Sequence, residues 1–187
     1  MKSLRAVLVD MDGTLASTSE ANWVAYGRAL YEAGVVLSRE QFLERARSRN
    51  WREFLPEILE EFDVEADPAA IAHRKTEIYR TLLDTVSVNW PLVRLLEALR
   101  PHMATALVTT ASAASVEALL RVHGLARHFD LVVTGDDVRR HKPDPEAFEI
   151  AASRLGVEPD ECLVYEDSDE GVTAANLFGA HVIRIVL

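Results

Sequence analysis

At 187 residues the chain has room for one ordinary domain, or for a core with a modest insertion. Nearly half of its residues are apolar (49%), enough for a proper core, so a disordered chain is excluded. A formal charge of −10 argues against nucleic acid as the partner, because phosphate backbones are neutralised by basic side chains; a small phosphorylated ligand, met by a few local cations and a metal, stays open. The apolar run Ala6-Val7-Leu8-Val9 reads as a buried strand. From about Ala16 to Thr85 the pattern is helical only. Trp23, Tyr26, Leu30 and Ala33 share one face, and Ser38-Arg39-Glu40-Gln41 is a capping box. Phe54, Leu55, Ile58, Leu59 and Phe62 keep helical spacing, and Asp67-Pro68 opens a helix carrying Ile71, Ile78, Tyr79 and Leu82.

Strands and helices alternate in the rest. Ala104 to Val108 is a strand candidate, and Ser112 reads as the N-cap of a helix with Val116, Leu119 and Leu120, ended by Gly124. Leu131-Val132-Val133 is the next strand. Asp144 reads as a cap with Pro145 at the first position of a helix that runs through Phe148 and Leu155 to Gly156. Leu163 to Tyr165 is a strand, about Asp169 to Phe178 a helix, and Val182 to Val186 a last strand. Repeated strand–helix units imply an α/β fold: a doubly wound, Rossmann-like parallel sheet covered on both faces. Residues 1–15 and 86–187 would form this core, with residues 16–85 inserted as an all-helical cap over the first strand's carboxyl end. Cys162 is alone, so no internal disulfide forms, and its apolar stretch makes it a buried small residue. No apolar run approaches the roughly 20 residues that span a bilayer, and the N-terminus has no signal-type apolar core. The expectation is a cytoplasmic protein with no membrane contact and no obligate protein partner.

Four polar clusters fall at the ends of predicted strands: Asp10 and Asp12 after the first, Thr109-Thr110 after Val108, Lys142 just before a helix, and Glu166-Asp167-Ser168 after Tyr165. In a parallel sheet all four gather at one edge, where ligands of open α/β sheets bind. Two like charges about 4 Å apart repel by roughly 4 kcal/mol at an effective dielectric near 20. Asp10, Asp12, Glu166 and Asp167 together therefore ask for a divalent cation, and hard oxygen donors favour Mg²⁺ over Zn²⁺. A carboxylate on the strand end, Asp10, can attack phosphorus. Asp12 can protonate the leaving oxygen and later deprotonate water. Lys142 and Thr109, with backbone amides near Thr110, can hold the phosphoryl oxygens.

These motifs, in this order and over essentially the whole chain, resemble the haloacid dehalogenase superfamily, in the group with a helical cap after the first strand. Asp-x-Asp-Gly-Thr-Leu is matched at Asp10 to Leu15, the strand-end Ser/Thr by Thr109, the lysine by Lys142, and the acidic motif by Glu166-Asp167-Ser168. The resemblance implies Mg²⁺ held by Asp10, the backbone carbonyl of Asp12 and Asp167, with Glu166 close by. It implies a phosphatase of a small phosphorylated metabolite, working through an aspartyl-phosphate. Two alternatives stand beside it: a phosphosugar mutase, and a non-catalytic phospho-ligand-binding protein. Mutases of this group tend to carry a histidine near the start of the cap, where this chain has Asn22, and Ser17 stands where many capped members have an acidic residue.

Each feature has a plainer reading. Asp-x-Asp-Gly alone is a turn, and the later ligands of a calcium loop are missing. Arg45, Arg47, Arg49 and Arg52 crowd around Trp51; Arg49 and Arg52 are candidate contacts to the substrate's distal part, the alternative being a solvated face paired with glutamates. The six histidines show no metal-ligand spacing; His141, beside Lys142, could line the site, with a surface loop histidine as the plainer reading.

Overall fold

The computed structural model describes residues 3–46 and 49–185. Five parallel strands form the core sheet: β1 (Ala6–Val9), β4 (Ala104–Val108), β5 (Leu131–Val133), β6 (Cys162–Glu166) and β7 (His181–Arg184), in spatial order β5-β4-β1-β6-β7. Each residue of β1 is buried, as a central strand covered on both faces requires. Val7, Val9 and Leu107 point to one side, against Leu92, Val93 and Leu96 of α5 (Trp90–Leu99) and Val116 and Leu119 of α6 (Ala113–Val122). Ala6, Leu8, Ala106 and Val164 point to the other, against Phe148 and Ala151 of α7 (Glu146–Leu155) and Ala174 and Phe178 of α8 (Asp169–Phe178). This is the doubly wound α/β architecture expected from the sequence.

Between β1 and α5 lie four helices: α1 (Ser19–Glu32), α2 (Arg39–Ala46), α3 (Trp51–Glu61) and α4 (Pro68–Arg80). Their ends follow local chemistry. The Ser38 hydroxyl accepts from Gln41 N at 3.2 Å while Gln41 Oε1 accepts from Ser38 N at 2.8 Å, the reciprocal box that satisfies two otherwise orphaned donors. Asn50 caps α3 and Asp67 caps α4. Their shared core is aromatic: Trp23 and Tyr26 pack on Phe42, and Tyr26 and Phe42 meet the Phe54 ring edge-on.

Several expectations are corrected. The inserted segment is not helical only, for it enters through β2 (Ala16–Ser17), which pairs antiparallel with β3 (Ser87–Val88) on the way out. This ribbon ties both crossings together. Helix α5 was not read from the sequence, although Asn89 caps it, Pro91 lies in its first turn, and Leu92 and Leu96 keep its face apolar. Ser112 lends no cap to α6; its hydroxyl is taken by Ser115, and Asp136 Oδ2 accepts the Ala113 N–H at 2.8 Å instead. Helix α7 starts at Glu146 rather than Pro145, with Asp144 still accepting from Glu146 N at 3.0 Å. The last strand runs His181–Arg184; Val186 lies outside the described residues.

Candidate active site

The carboxyl ends of β1, β4 and β6 converge as the sequence predicts. Asp10 leaves β1 with its N–H donated to Tyr165 O at 3.0 Å, so the first strand's end is locked beside the sixth's. Lys142 crosses beneath from the loop before α7. Its ammonium donates to Asp10 Oδ1 and Glu166 Oε2, both at 2.7 Å, and to Val108 O at 3.1 Å. Three acceptors use all three donors of the ammonium. The lysine is buried, and so are both of its carboxylates.

Burial pushes the Asp10 carboxyl well above its ordinary range; Lys142 opposes this, while Glu166 and Asp12 add to it. Burial also acts to raise Glu166, but Lys142 and the Ser168 hydrogen bonds outweigh it and hold that carboxyl below its usual value. The same two carboxylates overcome burial at Lys142 and keep its ammonium charged. Asp167 is raised by burial and then by Glu166.

Asp10, Glu166 and Asp167 each offer a carboxylate oxygen, all within 4.8 Å of one another. Three carboxylates against one ammonium leave two formal negative charges, which one dication would balance. An all-oxygen donor set fits a hard cation such as Mg²⁺. Within the set, Glu166 is the member already engaged: Oε1 accepts from Asp167 N, Ser168 N and the Ser168 hydroxyl, and Oε2 from Lys142. The Asp167 carboxylate is less engaged, accepting a 3.3 Å bond from the Thr14 hydroxyl. Gly13 allows the first motif to fold against it. Its φ is +86°, and a side chain there would overlap the Asp167 carboxylate. Ser168 serves both the site and the helix after it: its hydroxyl donates to Glu166 Oε1 at 2.9 Å and accepts from Gly171 N at 3.0 Å as the cap of α8.

Asp12 faces the helical insert rather than the sheet. Its Oδ1 accepts from the Thr18 hydroxyl, which lies just before α1, and from Asn22 Nδ2 at 3.2 Å. The residue standing in the histidine position of the mutases therefore does reach Asp12, but an amide holds a carboxylate without exchanging a proton with it. Thr109 is buried directly after Val108, and its hydroxyl oxygen accepts from Ala111 N at 3.1 Å. The Thr110 carbonyl accepts from Asn50 Nδ2 at 2.8 Å.

The described arginines beside Trp51 pair with carboxylates of the insert and of the loop after β5. Arg49 forms two bonds to Glu57 (2.6 and 2.8 Å) and lies 3.5 Å from Glu53, and Arg45 pairs with Glu61. Arg52 stacks 4.4 Å over Trp51 and donates to Asp136 at 2.7 Å, beside a groove of about 230 Å³ lined by Thr76, Arg80 and Ser112. Arg47 lies outside the described residues. His141 is no surface residue: its side chain is 7% exposed, its Nε2 is 4.0 Å from Glu53, and its buried Nδ1 has no partner among the described residues.

The sequence reading missed Lys75 altogether. On α4 it is 5% exposed, with its ammonium 4.8 Å from the Tyr26 ring and 4.3 Å from the Tyr79 ring, and among the described residues it makes no hydrogen bond or ion pair. Burial lowers its pKa to about 8 against the pull of Asp12. The Tyr79 hydroxyl beside it is buried and has no hydrogen-bond partner among the described residues. A signal existed: Lys75 lies on the same helical stripe as Ile71, Ile78 and Tyr79, where a charge has to be explained.

A family model described as haloacid dehalogenase-like hydrolase matches residues 4–179. The chain is 35% identical over 182 residues to the fructose-1-phosphate phosphatase YqaB of Escherichia coli K12, covering 97% of this chain and 96% of that one. It is 32% identical to a phosphorylated carbohydrates phosphatase of Thermotoga maritima, over 94% and 82% of the two chains. The crystal structure of CbbY from Rhodobacter sphaeroides in complex with phosphate superposes with a TM-score of 0.90 at 29% identity, over 98% of this chain and 87% of the other.

Proposed function

The chain belongs to the haloacid dehalogenase-like hydrolase family and is a phosphomonoesterase of it; we propose that its substrate is a sugar phosphate, cleaved with Mg²⁺ through an aspartyl-phosphate on Asp10. The observation that carries this reading is the buried Asp10–Lys142–Glu166 chain, with Asp12 two residues on and turned towards the helices above. Lys142 orients the nucleophile and holds its charge in place. The oxygen of Asp10 forms the new bond to phosphorus as the bond to the sugar oxygen breaks, and Asp12 gives that oxygen its proton. Water then attacks the phosphorus, Asp12 takes the water's proton, and inorganic phosphate leaves Asp10 free. The Thr109 hydroxyl and the amides around Thr110 hold the equatorial oxygens.

Asp10, Asp167 and the Asp12 carbonyl are the residues that would hold Mg²⁺, which supplies charge neutralisation between the phosphate and the carboxylates. Glu166, expected as a further metal ligand, fits better as the group that fixes Lys142 and the 167–168 turn, because its oxygens are already taken. Residues 16–85 act as the cap. Lys75 and the Tyr79 hydroxyl are its contacts to the sugar, since each is buried and lacks a polar partner among the described residues. Arg49 is withdrawn to Glu57, and Arg52 reaches the substrate only if it exchanges Asp136 for it. The related sugar-phosphate phosphatases support the substrate class. Asn22 beside Asp12 favours hydrolysis over mutase chemistry. Among the described residues no helix is long and apolar enough to cross a membrane, and we place the enzyme in the cytoplasm with its charged substrate.

The test is phosphate release from a panel of sugar phosphates and other phosphorylated metabolites, with Mg²⁺ and with chelator, beside Asp10→Asn. Selective, metal-dependent release that is lost in the variant is expected. Full release by the variant would sink the mechanism, and sugar-phosphate interconversion outpacing release would move the mutase ahead.

A further inference from the structure

We propose that Asn50, a residue of the cap, is a positioning residue for the phosphate-holding turn Thr109–Ala111, so that docking of the cap sets the geometry in which phosphoryl oxygens are met. The inference rests on the assignment of that turn to the phosphoryl oxygens. Asn50 is 1% exposed and both ends of its amide are used. Its Oδ1 accepts from Arg52 N at 3.0 Å, which caps α3, and its Nδ2 donates at 2.8 Å to the Thr110 carbonyl, sixty residues further along the chain.

The Thr110 carbonyl and the Ala111 N–H belong to one rigid peptide plane. Asn50 holds the oxygen side of that plane. The Thr109 hydroxyl oxygen accepts the N–H on the other side, at 3.1 Å. A hydroxyl that accepts in this way keeps its own hydrogen for another acceptor, here the phosphoryl oxygen. Tilting the plane therefore turns the Thr109 donor away from the reacting group.

Gly135 gives an independent mark of the same contact. It donates its N–H to Ala111 O at 2.8 Å. A Cβ at this position would overlap both the Thr110 carbonyl oxygen and Asn50 Nδ2, although the Gly135 backbone lies outside the left-handed region and would accept alanine. The meeting of the cap amide and the turn carbonyl is what excludes a side chain there.

Two variants read the same contact from opposite sides. Asn50→Ser keeps a helix-capping oxygen but is too short to reach Thr110. Gly135→Ala keeps both polar groups and forces them apart. With Mg²⁺ and the sugar phosphate that wild type hydrolyses, each is expected to lose about a hundredfold in kcat, the effect of a misplacement of about 1 Å. KM should stay within about threefold, as for a group that acts in the transition state. Half-saturation by Mg²⁺ should not change, and the Thr110 and Ala111 amide resonances should move in both variants. A wild-type kcat in Asn50→Ser would overturn the proposal and leave Asn50 as a helix cap only. Absence of phosphate release from wild type would be a failure of the phosphatase reading instead. The amide resonances then decide alone, and unchanged shifts in both variants would overturn the positioning role.

Discussion

Asp10 and Glu166 stand on the rim of the core sheet and each accepts from the Lys142 ammonium at 2.7 Å, whereas Thr18, Asn22, Asn50 and Lys75 come down from the helices inserted after β1. The core groups are mutually satisfied before any ligand arrives. Of the groups on the inserted helices, Asn22 and Asn50 each donate an amide N–H to the core, and Lys75 makes no hydrogen bond or ion pair among the described residues. A rim built on strand ends fixes its side chains to the rigidity of the sheet, which suits groups that must stay aligned through a phosphoryl transfer. A face built on helices that join the core through one short ribbon suits groups that recognise and enclose.

The comparison breaks hardest at Lys142. Lys142→Met leaves Asp10 and Glu166 buried against each other without their cation. Urea unfolding is expected to show a loss of about 3–5 kcal/mol, and turnover should fall at least a thousandfold. If stability were unchanged, the rim would not be held by this ammonium. Mg²⁺ probes the remaining charge. At a hundred times its Kd, a ligand of the native state adds about 2.7 kcal/mol, so Tm should rise by several degrees with Mg²⁺. Chelator should remove both that gain and the activity, and Asp167→Asn should lose the rise.

On the cap side, Lys75→Met should lower kcat/KM by about 10–100-fold, mainly through KM, by removing a charged donor to the substrate. The pH dependence carries a sign. Lys75 titrates near 8, so kcat/KM should fall as pH rises through that value in wild type and lose this limb in Lys75→Met. The folded state lowers this lysine below its ordinary 10.4. Its neutral form is the one that burial favours, so wild type should gain stability relative to Lys75→Met as pH rises from 8 towards 10.4. The smallest effect is expected at Arg49. Arg49→Ala breaks solvent-facing pairs to Glu57 and Glu53, and should leave kcat unchanged with a Tm shift under about 2 °C.

The same division explains what could be read from the chain. The core was legible because its strands are short apolar runs and three of its chemical groups sit on or next to a strand end, Asp10 after Val9, Thr109 after Val108 and Glu166 ending β6, while Lys142 comes from the loop before α7. The parallel topology then does the gathering. The cap was legible as helices, down to the Ser38–Gln41 box, but not as a surface. Which side of α4 meets Asp12 depends on how α1 and α4 pack, so the place of Lys75 has no local signature beyond a charge on an apolar stripe. Among the conspicuous arginines of this region, Arg45, Arg49 and Arg52 serve Glu61, Glu57 and Asp136. The bond of Asn50 to Thr110 spans sixty residues and leaves no local trace in the sequence. Helix α5 was not expected because its N-cap, Asn89, follows directly on the short strand β3, with no turn between them.

The most direct test is to trap the covalent intermediate. Wild type is mixed with a sugar phosphate that it hydrolyses in Mg²⁺, quenched in acid within the first turnover, and its peptides are weighed by mass spectrometry. The account predicts a phosphoryl group on the peptide carrying Asp10 and none in Asp10→Asn. Phosphate release at the wild-type rate from Asp10→Asn, or a burst of phosphate with no modified Asp10 peptide at any quench time, would contradict it.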